Sequence, residues 1–394
     1  MSIAQTTFYV APNGSSANDG TLASPWDIQT AAHSVALLTG YTVYLRGGNY
    51  PALTSDLFFQ RPGVTYKAYP GEWPVIQVDT GSIVISADNV TLQGPGEMAG
   101  VNAERVSVQF GSAPTDIPTN GLYPQGKHCS ITGWIIHDLK QQFVQSGADG
   151  CQLIDTVVLN TGWSGPDRGH GHAWYHHNNV TDSPAVIQNC IFGQQFGDGD
   201  TFYSVTQPLI GLTIRNLIQF DPRSTIGGEN TTTVDAIVVD DCAYWQSGHD
   251  FGYLSGVKGS LSLTDSYFAL NGPLIRSGWQ SVVNTGNTTT SGGANVVKVY
   301  VCTTPGIIAN LVVYNWQQLS SVQVDVSGLG MVAGRSYLIR QCYNPMNDVS
   351  LFTYDGSGSI TISFVGRTVA LPYGYNTALI TLDVRFGAFR IEAV

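Results

Sequence analysis

Gly171-His172-Ala173-Trp174-Tyr175, Gly199-Asp200-Thr201-Phe202-Tyr203 and His249-Asp250-Phe251-Gly252-Tyr253 share a pattern: a titratable side chain followed by a tyrosine three positions on. Aligned, they predict a column of His172, Asp200 and Asp250 beside a column of Tyr175, Tyr203 and Tyr253. Glu229 falls between the two aspartates and Arg276 follows them. Charged residues make up only 11 % of the chain, and like charges in register repel, so a purely structural column of this kind is uncomfortable. Two chemistries suit it. Parallel strands stack about 4.8 Å apart, so aspartates two strands apart stand about 9.6 Å apart, at the upper edge of the ~6.5–9.5 Å that an inverting glycoside hydrolase uses. Asp200 and Asp250 are then acid and base, and Glu229 could replace either. Alternatively Asp200, Glu229 and Asp250 could hold a calcium ion against a uronate while His172 or Arg276 removes its C5 proton. A solvated stripe of loop residues is the reading without chemistry.

Histidines are densest in Asp167-Arg168-Gly169-His170-Gly171-His172-Ala173-Trp174-Tyr175-His176-His177-Asn178. If this stretch is a strand, alternation sends His170, His172 and Trp174 to one face. Aromatic rings beside carboxylates suit the apolar faces of sugars, so His170, Trp174, Tyr175, Tyr203, His249, Tyr253, Arg168 and Arg276 are the expected binding residues. Two histidines two apart could also take a transition metal, but no third ligand at fixed spacing accompanies them. No metal is assigned, and calcium is the one cofactor left open.

These residues need a scaffold, and an internal repeat supplies one. An apolar–x–Gly/Asn/Asp–x–apolar signature recurs at Ile131-Gly133-Ile135, Leu153-Asp155-Val157, Ile187-Asn189-Ile191, Ile214-Asn216-Ile218, Val239-Asp241-Ala243 and Leu263-Asp265-Tyr267, with first residues 22, 34, 27, 25 and 24 apart. One three-stranded coil per repeat fits that spacing. The fold class expected is all-β: a parallel β-helix over 1–288, with a cap helix at 26–38 opened by Ser24-Pro25, and an antiparallel β-sandwich over 295–394. Eight strands are expected in the second part, at 296–301, 311–314, 322–326, 337–340, 351–354, 360–364, 378–384 and 388–391. The Gly-, Ser-, Thr- and Asn-rich stretch 286–293 reads as the linker, and proteases are expected to cut there first. Cys129, Cys151, Cys190 and Cys242 stand in or beside the signatures and read as free, inward-facing thiols.

In 394 residues there are 17 Lys+Arg against 28 Asp+Glu, a net charge of −11 with no basic cluster, which argues against a nucleic-acid partner. No apolar run is long enough to span a membrane and no export signal is visible at the start. The expected partner is a polysaccharide substrate, met by a monomer.

Phe8-Tyr9-Val10-Ala11-Pro12-Asn13-Gly14-Ser15, then Asn18-Asp19-Gly20-Thr21, Ser24-Pro25-Trp26, Thr42-Val43-Tyr44-Leu45-Arg46-Gly47-Gly48-Asn49-Tyr50 and Lys67-Ala68-Tyr69-Pro70-Gly71-Glu72-Trp73-Pro74-Val75-Ile76, resemble the opening of right-handed parallel β-helix proteins of the pectin-lyase-like superfamily. Asn310-Leu311-Val312-Val313-Tyr314-Asn315-Trp316 and Phe386-Gly387-Ala388-Phe389 resemble the β-sandwich appended to many bacterial β-helix proteins. The resemblance implies a secreted protein, extracellular or periplasmic. It is shared among lyases, glycoside hydrolases, esterases and tailspikes, and so implies fold before chemistry. Gly169-His170-Gly171 is similar to the Gly-His-Gly element of polygalacturonase-type hydrolases, although those place paired aspartates before it and here Asp198 and Asp200 follow. A glycoside hydrolase is the first reading, because a polyanion would be repelled by the net charge. A calcium-assisted lyase is the second. A non-catalytic glycan-binding or tailspike-like protein is the third.

Overall fold

The computed structural model describes residues 6–394 except 112, 145–146, 180–182, 198–200, 205–206, 221–222, 230, 247 and 255, and of Thr201, Tyr203, Ser204 and Arg223 only the backbone. It is nearly all β, a parallel solenoid of about 9 turns with antiparallel sheets at its C-terminal end. The first coil lays Thr7–Val10 beside Thr42–Leu45, and that strand beside Thr65–Ala68. Phe8 stacks on Trp26 at 4.8 Å. The one α-helix among the described residues, Ile28–His33, is shorter than expected, and its cap is Asp27, whose carboxylate accepts from the Thr30 amide at 2.8 Å, rather than Ser24-Pro25.

The repeat register is as the signatures predict. Ile131, Leu153, Ile187, Ile214, Val239 and Leu263 pair in sequence across successive coils. Ile135, Val157, Ile191, Ile218, Ala243 and Tyr267 form a second column. Between the columns, Gly133, Asp155, Asn189, Asn216, Asp241 and Asp265 all have positive φ, from 48° to 77°. Glycine, asparagine and aspartate tolerate that left-handed turn best, and they are the types found at all six middle positions. Gly133 is also held by contact, since a Cβ there would lie 2.4 Å from Thr304 Cγ2.

The turn has a consequence for packing. Residues two before it point into the solenoid core, whereas those two after it point outward and share a second core with Tyr300, Val312, Tyr314, Trp316, Tyr343 and Phe386. The C-terminal part is thus laid along the solenoid flank. Asp155 Oδ2 accepts from the amides of Thr303 and Thr304, both at 2.8 Å, and Lys298 pairs with Asp241 at 2.5 Å. This part holds a five-stranded antiparallel sheet and a two-stranded one, Ser321–Asp325 with Ser359–Ser363. Seven of the eight expected strands are present, but 378–384 is not a strand. The stretch read as a linker still carries a parallel strand, Thr288–Thr290, paired with Tyr267–Ala269. All six cysteines are free, and Cys129, Cys151, Cys190 and Cys242 are buried in the solenoid.

Candidate active site

The C-terminal sheets pack on the long sheet of the solenoid, and the candidate residues stand on short parallel sheets of another face. There Leu57, Phe59, Ile83, Ile85 and Leu122 point into the core, so the alternate residues Phe58, Val84 and Tyr123 point out, in register. Phe143 extends this outward column and bridges to Tyr175. Its ring lies 5.1 Å from Tyr175, and His177 packs against both at 5.4 and 5.3 Å. His172 is half-buried with its ring 5.6 Å from Tyr175. Burial, assisted by the Glu229 carboxylate, pushes the Tyr175 phenol up to about 12. Glu229 is half-buried on the loop after Arg223–Gly228, and its carbonyl accepts from Thr232 N and Oγ1 at 3.0 and 2.6 Å, which fixes the loop.

Farther along the same face, strand Gly248–Tyr253 sends His249 and Phe251 inward and Asp250 outward. Arg276 donates to Asp250 from Nε and Nη2, each at 2.7 Å, and its guanidinium lies 5.8 Å from the Tyr253 ring centre. In the column of Asp250 stand Thr225 and Thr201, the latter in the place expected for Asp200. Asp200 itself lies outside the described residues. Of the expected tyrosine column, Tyr203 and Tyr253 are in register, with Gly227 between them, whereas Tyr175 bridges to Phe143. The two alignments part because the ladder shifts after Ile226, opposite the extra residue Gly252 with φ 98°. A bulge of one residue moves every side chain before it by one place.

Three expected binding residues are buried. His170 belongs to the hairpin of Trp163–Ser164 and Gly169–His170, stacks on Trp163 at 5.5 Å and bonds to Asp167 at 2.9 Å. Trp174 lies in the solenoid core, its Nε1 donating to His176 Nδ1 at 3.1 Å. His249 packs 3.8 Å from Tyr244 and 5.5 Å from Phe268. The alternation expected if 167–178 were a strand does not apply, because the strands there are only Gly169–His170 and Asn178–Asn179. Arg168 is exposed at the hairpin tip, and the side chain of Tyr203 lies outside the described residues. Sequence reasoning missed Phe143, His177 and Thr225. For Phe143 the signal was present in the outward phase of Leu57–Phe59 and Gly121–Pro124. For Thr225, whose buried Oγ1 has no partner among the described residues, no signal existed.

Of the three donors expected for calcium, Asp200 lies outside the described residues. Both oxygens of Asp250 are engaged by Arg276, and no group of three His, Cys, Asp or Glu converges among the described residues. No described helix is long and apolar enough to cross a membrane.

No family model matches the chain. It is 27 % identical over 296 residues to pectate lyase L of Paenibacillus polymyxa (strain SC2), covering 67 % of this chain and 63 % of that protein. The chain therefore spans less than two thirds of the length of this relative. Among solved structures it is similar to a rhamnogalacturonan lyase, with a TM-score of 0.47 and 14 % identity over 72 % of this chain and 86 % of that one. A GH136 lacto-N-biosidase from Eubacterium ramulus gives 0.35 and 11 %, over 72 % and 67 %.

Proposed function

We propose that the protein degrades a uronate-containing polysaccharide by β-elimination. The observation that carries this reading is the similarity to a pectate lyase over two thirds of the chain, and the outer face supports it. β-Elimination needs a cation on the uronate carboxylate, to stabilise charge that develops when C5 loses its proton, and a base within reach of that proton. Arg276, aimed by Asp250 and still 43 % exposed, is a cation for a uronate other than the one that loses its proton. His172 is the base, beside Tyr175, whose protonated hydroxyl is the donor to the departing oxygen. Four coils separate His172 from Arg276, about 19 Å at the strand spacing. One polymer chain along the face therefore meets them at different sugars, with Arg276 holding a uronate of a distal subsite and Glu229 between. The hydrolase reading expected Asp200 in the column of Asp250, where Thr201 stands, and the similarity to a pectate lyase favours elimination over it. A polymer too large to cross a membrane is met outside the cell, which is where the chain is inferred to work.

The test is incubation with polygalacturonate and with rhamnogalacturonan, reading absorbance of unsaturated ends against reducing ends. Absorbance rising with reducing ends is expected. Reducing ends without absorbance would restore the hydrolase. His172→Ala should cost about 10²–10⁴-fold in turnover, the usual worth of a general base, and Arg276→Ala should mainly raise KM.

A further inference from the structure

We infer a second saccharide site, away from the catalytic face, in the cleft of about 500 Å³ between the first coils and the C-terminal five-stranded sheet. It lies on the long sheet, where Tyr44, Lys67 and Gln93 stand in one outward column. The cleft size is typical of small-ligand sites. Its walls carry two cation–aromatic pairs, Lys67 5.0 Å from the Tyr44 ring centre and Arg340 4.4 Å from that of Trp73, and a third cation, Arg46, stands outside the lining 4.8 Å from the ring centre of Tyr69. Two of these cations are neutralised, Arg46 by Glu72 and Arg340 by Glu392, each at 2.6 Å. Lys67 has no carboxylate within ion-pairing distance among the described residues, so its charge is left for a ligand.

The remaining polar groups define which anion. Glu392 is 3 % exposed and lines the cleft, yet its Oε1 has no hydrogen-bond partner among the described residues. That oxygen has no accessible surface, so it gives the cleft wall negative charge rather than a ligand contact. The Gln93 amide likewise makes no hydrogen bond within the described chain and can both donate and accept. A phosphate dianion offers Glu392 only repulsion. A uronic acid residue offers a carboxylate to Lys67 and hydroxyls to Gln93, so the geometry points to a uronate-bearing saccharide segment. The site holds the polymer while the other face acts on it, a division that rests on the lyase reading, although binding here does not.

Affinity electrophoresis of the full chain in gels cast with polygalacturonate, with neutral galactan and with no polymer tests the site, repeated with added inorganic phosphate. Retention by polygalacturonate is expected, and Lys67→Gln should weaken it about tenfold, the loss of one hydrogen bond to a charged group, with turnover of a short oligosaccharide unchanged. Gln93→Leu, a surface change that leaves the ion pairs intact, should weaken it too and guards against a folding defect in the first variant. Retention untouched by both substitutions overturns the site, as does equal retention in galactan or full displacement by phosphate. Retention that depends on Lys67 in a protein making no unsaturated ends would sink the lyase reading and leave the cleft standing.

Discussion

Burial alone would strip the proton from His137, but hydrogen bonds to Asp138 at 2.7 Å and Glu97 at 3.4 Å outweigh it and hold the imidazole at about 9. Arg105 binds Asp138 from the far side. His249 behaves oppositely: burial among aromatic rings pushes it down to about 3, and His176 falls to about 3 through burial and the neighbouring His177. An unfolded histidine titrates near 6.5. His137 therefore contributes stability that is complete below about pH 6.5 and is lost as pH rises through about 9, whereas His176 and His249 contribute stability that is complete above about 6.5 and is lost toward pH 3. Denaturant melts should show greatest stability near neutrality. His137→Gln should flatten the alkaline limb, worth on the order of 3 kcal/mol, and His249→Phe the acid limb. Lys140, which burial brings down to about 8, opposes the alkaline loss, so the difference from wild type is the quantity to read. An alkaline limb unchanged by His137→Gln would show that the buried histidine is not charged. None of this was legible in the sequence around His137 and Asp138. Their partners Glu97 and Arg105 are distant in the chain, and only coil stacking brings them together.

At the scale of the coil, the repeat was legible because its cause is local. The left-handed residue leaves a compositional mark, Gly, Asn or Asp, at each turn, and the apolar residues on either side fix the register. What the signature could not reveal is that the two apolar residues face opposite sides. It also could not place Gly252, since a bulge depends on the neighbouring strand. Asn189 shows what the column adds. With φ 53°, it donates from Nδ2 to Asp155 Oδ1 and the Val301 carbonyl, both at 2.9 Å, and accepts from Asn216 at 2.8 Å. Asn189→Gly should lose those bonds and keep the turn, and Asn189→Ala should lose both. A left-handed alanine costs roughly 1–2 kcal/mol, so alanine should lie below glycine by about that much in denaturant melts. Equal stabilities would mean that hydrogen bonding alone selects asparagine here.

For the whole molecule, composition suggested a hinge where packing makes a seam. Residues 291–294 are exposed, and a protease is expected to reach them, as the Gly- and Ser-rich composition implied. Separation should not follow. Ile135, Val157, Ile191, Ile218 and Tyr267 on the solenoid are completed by Tyr314, Trp316, Tyr343 and Phe386 from beyond the cut, and Trp316 donates to the Tyr267 hydroxyl at 2.9 Å. Each large apolar side chain so buried contributes about 1.5–3 kcal/mol, and Asp155 adds bonds from two threonines across the seam. Chain nicked at 291–294 should therefore elute from size exclusion as one particle and melt in one transition. Residues 1–290 expressed alone should bare that apolar flank and aggregate. Two soluble, separately melting fragments would mean that the flank is a docking surface between independent domains, and the linker reading of 286–293 would stand in full.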